Sequence, residues 1–322
     1  MNTELKNKIM ETIFVLVIAT IFMIVGMYYF PWIIFLYPIL FILLGVRQGL
    51  NLAIIGLILS TLSIGLIMDI ISGIVILITF APLSITIIYT LKKRKSSTEI
   101  LAVSTLVFLL SVLLIIVMMN DITGVNIISL LTNIINQLKE AFDQSIDNQI
   151  EILYELKLSN YQILQIKDLI EDTFQYILTI TPSMIIVFSL ITAYLNYLIS
   201  SLSLRKLGYG IVFIPRFSRF KLPRNILVGI GIMFLVTFSL SYLGMHHSEA
   251  VLVNLIVLAF FVFFTQGLSV TYYKLAQWKV NKITRMFIVL FIIILSSVLG
   301  GIITIIGVLD TIFDFRRFRR SV

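Results

Sequence analysis

No cysteine occurs in 322 residues, so disulfide frameworks, thiolate metal sites and cysteine nucleophiles are excluded together. Charge is scarce as well: only 12% of the residues are Asp, Glu, Lys or Arg, well below what the surface of a water-soluble domain carries. Histidine occurs twice, at His246 and His247, with Glu249 close behind. Adjacent histidines do not share a helical face, and without a second donor cluster they form no metal site. There is no G-x-S-x-G elbow, no P-loop, no H-E-x-x-H pair and no dinucleotide-binding glycine fingerprint. The residues point to no enzyme and no cofactor, and any ATP-driven process would need a partner subunit.

What is present is hydrocarbon. Apolar residues make up 59% of the chain and the mean hydropathy is +1.08. Runs such as Ile9 to Phe30 and Met286 to Val308 exceed the roughly 20 residues that a bilayer-crossing helix needs. Apolar segments fall at 9–30, 31–46, 49–68, 70–91, 100–119, 173–200, 226–244, 250–273 and 286–308. The expected fold is an all-α, polytopic transmembrane helix bundle of about 8–9 spans, with the lipid bilayer as its principal partner. The first segment lacks a small-residue cleavage site and is expected to be retained as a helix. The second is short and contains Pro38, which makes it the least regular span.

The 24 Lys and Arg against 16 Asp and Glu give a net charge of +8. These cations sit in short connections, where they set topology, so the basic balance points to a membrane and not to nucleic acid. Lys92, Lys93, Arg94 and Lys95 follow the fourth segment, and Lys274, Lys279, Lys282 and Arg285 the eighth. Arg205, Lys206, Arg216, Arg219, Lys221 and Arg224 form a basic loop after the sixth, with no acid among them. Even numbers of spans separate the clusters, which places all three and the amino terminus in the cytoplasm of a multi-pass cell-membrane protein. A ninth full crossing then carries Arg316, Arg317, Arg319 and Arg320 outside, against that tendency. Parity favours the outside tail; a break near Gly300 and Gly301, with a re-entrant return, removes the conflict.

Residues 120–172 differ from the rest in carrying nine acids against Lys139, Lys157 and Lys167. Ile127, Leu130, Leu131, Ile134, Ile135 and Leu138 recur at helical spacing, and Phe142, Ile146, Ile150 and Leu153 continue the stripe. Ser159 and Asn160 supply a break and a cap. The expected result is an external amphipathic helical hairpin. The organisation is then a six-helix membrane half at 1–200 including that hairpin, a basic cytoplasmic loop at 201–225, and carboxy-terminal membrane segments with a basic tail at 226–322.

Gly45, Gly49, Ala53, Gly56, Ser60 and Ser63 share one face if the helix through them is continuous, which predicts a close helix crossing. Ionisable groups are almost absent from Thr12 to Leu91: Arg47 and Asp69 stand alone, at predicted membrane boundaries. Intramembrane polar groups are costly and often functional, so Arg47, Asn51, Asp69 and Asn196 are the candidates for contact with a small solute. Boundary anchoring is the plainer role for the two charged residues, and interhelical hydrogen bonding for Asn51, Asn196, Asn254 and Gln266. Pro182 removes a backbone bond in the sixth segment and should kink it.

After Asn196 the chain reads Arg205-Lys206-Leu207-Gly208, Ile214-Pro215-Arg216-Phe217, Phe220 and Leu222-Pro223, and it closes with Gly307-Val308-Leu309-Asp310 and Phe313-Asp314-Phe315-Arg316. This pattern resembles the YybS-like family of bacterial integral membrane proteins, a domain of unknown function. More distantly, residues 1–200 with their Gly45-x-x-x-Gly49 element are similar to the S components of energy-coupling-factor transporters. That resemblance implies a six-span solute-binding half and a small-molecule partner. Two functions remain open: a small-solute binding or transport component with an energising partner, and a non-transporting scaffold or regulator that engages a cytoplasmic or envelope partner.

Overall fold

The structure, a computed structural model, describes residues 3–124, 126–209, 217–223, 225–244 and 248–316. Arg216, Arg224, His246, His247, Arg317, Arg319 and Arg320 lie outside the described residues. Every regular element is helical: α1 Thr3–Tyr29, a 3-10 turn Pro31–Leu36, α2 Pro38–Gln48, α3 Leu50–Ile67, α4 Ile70–Lys92, α5 Ser97–Thr123, α6 Ile127–Asn148, α7 Ile150–Glu155, α8 Asn160–Lys206, a 3-10 turn Phe217–Arg219, α9 Asn225–Tyr242, α10 Ser248–Gln277, α11 Lys282–Ile294 and α12 Ser296–Phe313. Nine of the described helical segments are long and apolar enough to cross a membrane. Their outward faces are hydrocarbon too, with Leu66, Trp32 and Tyr242 more than four-fifths exposed, as expected where the solvent is lipid.

Local chemistry sets the helix ends. Pro31 opens the 3-10 turn, and Pro38 opens α2 at a position where no amide is needed. Gly49 ends α2 with φ +121°, a conformation that side chains rarely adopt. Asp69 caps α4 by accepting from the Ser72 amide at 2.8 Å, and Ser96 caps α5 by accepting from the Glu99 amide at 3.2 Å. Ser159 and Gln162 form a reciprocal capping box at the start of α8, with bonds of 2.9 and 3.3 Å.

The contacts divide the chain into two compact units. The first comprises residues 1–138 and 188–214. In it α3 and α4 approach closely where a Cβ on Gly73 would lie 2.7 Å from the Thr61 carbonyl and 2.9 Å from Gly65 Cα, the small-residue mode of membrane helices. Tyr37, Phe41, Phe80 and Phe108 are buried in its centre, joined by Phe35 and Phe188, with neighbouring ring centroids 4.7–6.3 Å apart. Aromatic packing of this density leaves little void. The better formed hollow of this unit is about 20 Å³, lined by residues such as Ile71, Val75, Ile78 and Met118, far below the 300 Å³ or so that solute sites occupy.

The second unit comprises residues 139–187 and 215–322. Its part of the amphipathic hairpin is cross-braced by Lys139–Glu171 at 2.6 Å, Lys167–Asp147 at 2.7 Å and the Phe142–Phe174 ring contact. Both ion pairs are substantially exposed, so solvent screening leaves them little weight in stability. Pro182 lies inside α8 without ending it. Asn254 of α10 fills the gap that Pro182 opens: its Oδ1 accepts from the Ser183 amide at 2.8 Å and its Nδ2 donates to the Thr179 carbonyl at 2.7 Å. One side-chain amide thus replaces the backbone bond that the proline displaces. Asn254→Ala is expected to lower the stability of the unit by about 1–2 kcal/mol. Adding Pro182→Ala should recover part of that, because Ser183 regains the Thr179 carbonyl; thermal unfolding of the single and double variants checks both.

The sequence expectation of a ninth uninterrupted crossing is corrected here. The segment breaks at Leu295 (φ −90°, ψ 26°), not near Gly300 and Gly301, and α11 has only 13 residues, about 20 Å of helix and too short to cross. Arg285 stacks on Tyr272, and Ile292 packs with Phe264 and Leu268, so α11 runs against α10. Phe260 meets Gly300 and Gly267 meets Gly307, so α12 runs with α10. The pair is a helical hairpin whose end returns to the 217–223 loop, where Arg316 bonds the Ser218 and Phe220 carbonyls. Single cysteines at Ser218, Gln277 and Phe315, in a chain free of native thiols, should share one accessibility to an impermeant maleimide. A cysteine at Tyr242 should show the opposite behaviour.

Candidate functional site

Arg316 follows α12, whose last turn is closed by Asp314 in a left-handed conformation (φ 52°). That turn directs the guanidinium back between α10 and the 217–223 loop. Its Nη1 donates to the Ser218 carbonyl at 3.0 Å and to Ser269 Oγ at 2.8 Å, and its Nη2 to the Phe220 carbonyl at 2.8 Å and to Asp310 Oδ2 at 2.9 Å. Both side chains of the Arg316–Asp310 pair have no exposed surface. Ser269 Oγ also reaches the Phe217 and Phe220 carbonyls, at 2.6 and 3.1 Å.

Gln266 continues the network. Its Nε2 donates to Asp310 Oδ2 at 2.6 Å, and its Oε1 accepts from the Leu222 amide at 3.2 Å. Lys221 forms a further ion pair with Asp314. The physical reason for the assembly is the loop itself. Apart from one 3-10 turn it has no regular structure, and its partly buried carbonyls need donors that a helix or sheet would otherwise supply. Arginine offers up to five N–H donors in a fixed fork, and Asp310 neutralises the charge that this service buries. Charge balances within the cluster, one carboxylate to each cation. That is the composition of a latch and not of a metal site, and no acidic or histidine cluster able to hold a metal occurs among the described residues.

Close packing makes the latch accessible to its parts. A Cβ on Gly267 would collide with the Ile303 carbonyl, and one on Gly307 with the Phe263 carbonyl, so α10 and α12 touch backbone to backbone. Thr271 and Thr311, four residues on in each helix, bond back to the Gly267 and Gly307 carbonyls. The two helices therefore present the same Gly-x-x-x-Thr pattern to each other, a signal visible in the sequence as a repeat forty residues apart.

The four solute-contact candidates are not brought together. Arg47 pairs with Glu11 at 2.9 Å, and Gln48 bonds the same carboxylate. Asn51 is exposed on α3. Asp69 serves as the α4 cap, where bonds from the Ser72 hydroxyl and amide hold its carboxyl below the usual carboxylate range. Asn196 is buried and donates to the Phe35 and Thr192 carbonyls at 2.8 and 2.9 Å. Within the small-residue stripe, Gly45 lies against Ile88, Ala53 and Gly56 are buried, and Ser60 meets Tyr37 and Thr20 at 3.0 Å. Gly49 departs from the packing expectation. It breaks the helix and has open space where a Cβ would be, and Ser63 bonds its own helix at Leu59. In the basic loop, Lys221 is compensated by Asp314, which corrects the expectation that all six cations are unpaired, while Arg205, Lys206 and Arg219 are exposed.

A family model described as a predicted membrane protein (DUF2232) matches residues 17–311, a span that includes Gln266, Gly267, Gly307 and Asp310. No curated protein and no solved structure matches the chain.

Proposed function

From a chain that belongs to the predicted membrane protein family DUF2232, we propose a YybS-like, non-transporting membrane scaffold or regulator that presents its basic loop and tail to a cytoplasmic protein. The observation that carries this reading is the latch. Arg316, Ser269 and Gln266 fix the backbone of a loop that would otherwise have no defined shape, and Arg219 remains exposed upon it. A fixed loop shape has recognition value, because a partner then bears no ordering cost on binding. The positive-inside tendency favours a cytoplasmic position for that loop and for the amino terminus. The better formed hollow of the first unit, at about 20 Å³, weighs in the same direction.

A solute-binding role of the S-component kind, with an energising partner subunit, has one observation in its favour. Asn196 Oδ1 and the Ser200 and Ser201 hydroxyls are buried on one stretch of α8 with no hydrogen-bond partner among the described residues. Buried polar groups of this kind ask for an occupant. Mass spectrometry of small molecules retained by the detergent-extracted protein, combined with photo-crosslinking from position 218 in cells, separates the readings. The scaffold reading expects no stoichiometric solute and one crosslinked protein that Arg219→Glu loses. A stoichiometric solute released on denaturation would replace it with the second reading.

A further inference from the structure

Outside the latch, at the same end of the second unit, lies a cationic cluster with no acidic partner among the described residues. Between Glu249 and Asp310 the sequence has no acidic residue, yet it carries Lys274, Lys279, Lys282 and Arg285. None of these four side chains forms an ion pair or hydrogen bond among the described residues. Arg285 is the most constrained. Its guanidinium carbon sits 4.9 Å from the centre of the Tyr272 ring, Tyr272 is held edge-on by Phe217, and the Arg285 Nε is buried without a partner. A half-buried guanidinium fixed on a ring face has lost water from one side and keeps its donors for an anion on the other.

Two further observations identify the anion. Tyr272 lies on the last turns of α10, and Trp278, just beyond its end, is 72% exposed, the arrangement of an aromatic belt at headgroup depth. Directly beside Arg285, α11 bears an open depression of about 360 Å³ lined by Thr284, Phe287, Ile288, Leu290, Phe291 and Ile294. The lining is almost wholly apolar, comes from α11 alone and runs along the helix away from the cations, a face on which an acyl chain can lie beneath a headgroup.

We infer that Arg285, with Tyr272 and Lys282, binds the phosphate of an anionic phospholipid whose acyl chain lies in the α11 depression. The guanidinium edge takes two phosphate oxygens, the Lys282 ammonium adds a point charge, and the ring keeps the fork oriented. This site is separate from the latch and stands whether or not the scaffold reading holds.

The chain carries two tryptophans, Trp32 and Trp278, so Trp32→Phe leaves Trp278 as a fluorescent reporter beside the site. In nanodiscs, brominated phosphatidylglycerol should quench Trp278 about fivefold more effectively than brominated phosphatidylcholine at equal mole fraction. Arg285→Gln should bring the two lipids to parity. Equal quenching in the parent, or a preference that survives Arg285→Gln, would overturn the inference. Loss of the preference on adding inorganic phosphate in millimolar excess would show that soluble phosphate is the ligand, and would overturn it equally. Should Arg285→Gln not elute as folded protein, Lys282→Gln, an exposed substitution, decides: a lowered preference supports the site and an unchanged one removes it.

Discussion

Replacing Arg316 by Gln should destabilise the second unit by about 3–5 kcal/mol, the range for breaking a buried ion pair by removing one partner. No solvent discount applies, because neither Arg316 nor Asp310 has exposed side-chain surface. The loss has two parts. Asp310 is left as an uncompensated carboxylate still bonded by Gln266, and the Ser218 and Phe220 carbonyls lose their donors. Asp310→Asn removes the first part and leaves the second untouched, so the double variant should be more stable than the sum of the single losses implies. Thermal denaturation in detergent, followed by the fraction still monodisperse on size exclusion, measures all three. A drop of less than about 1 kcal/mol for Arg316→Gln would mean that the latch is a surface interaction and not a buried one.

Gly267→Ala and Gly307→Ala should be at least as damaging, although each adds a single methyl group. The colliding atoms are backbone carbonyls of the facing helix, and no rotamer change moves them. The helices must separate, at a cost of about 3 kcal/mol or more, and their separation draws Asp310 away from Gln266. Gly301→Ala is the matched control in the same helix. Nothing lies within 4 Å of its added Cβ, so the substitution should be neutral or stabilising by up to about 1 kcal/mol through helix propensity. If all three glycine variants behave alike, helix propensity and not contact is what those positions encode.

Much of this architecture is legible in the residues because lipid imposes a simple rule: apolar runs become helices. The helical bundle, the Ser159 cap and the interhelical roles of Asn254, Asn196 and Gln266 all follow from local pattern. The break at Leu295 does not. Neither residue beside it is glycine or proline, and the sequence offers Gly300 and Gly301 as the more obvious place. What fixes the break is tertiary, the backbone contact between Gly267 and Gly307 that turns α12 alongside α10. The latch was visible only as two unconnected stretches, one around Phe217 to Pro223 and one from Gly307 to Arg316. Their meeting depends on that same parallel crossing, which hydrophobic periodicity does not encode. Gly49 shows the opposite limit: its spacing fitted a packing stripe, while its positive φ gave it another task.

The exchange of partners at Pro182 has a dynamic corollary. In a helix interior, amide protons are shielded by carbonyls of the same helix, whereas the Ser183 amide is shielded by Asn254 from a neighbouring one. Its deuterium uptake therefore follows how often α10 lifts away, independently of fraying in α8 itself. Ser183 is a built-in gauge of the opening between two membrane helices, readable in the native chain without a label.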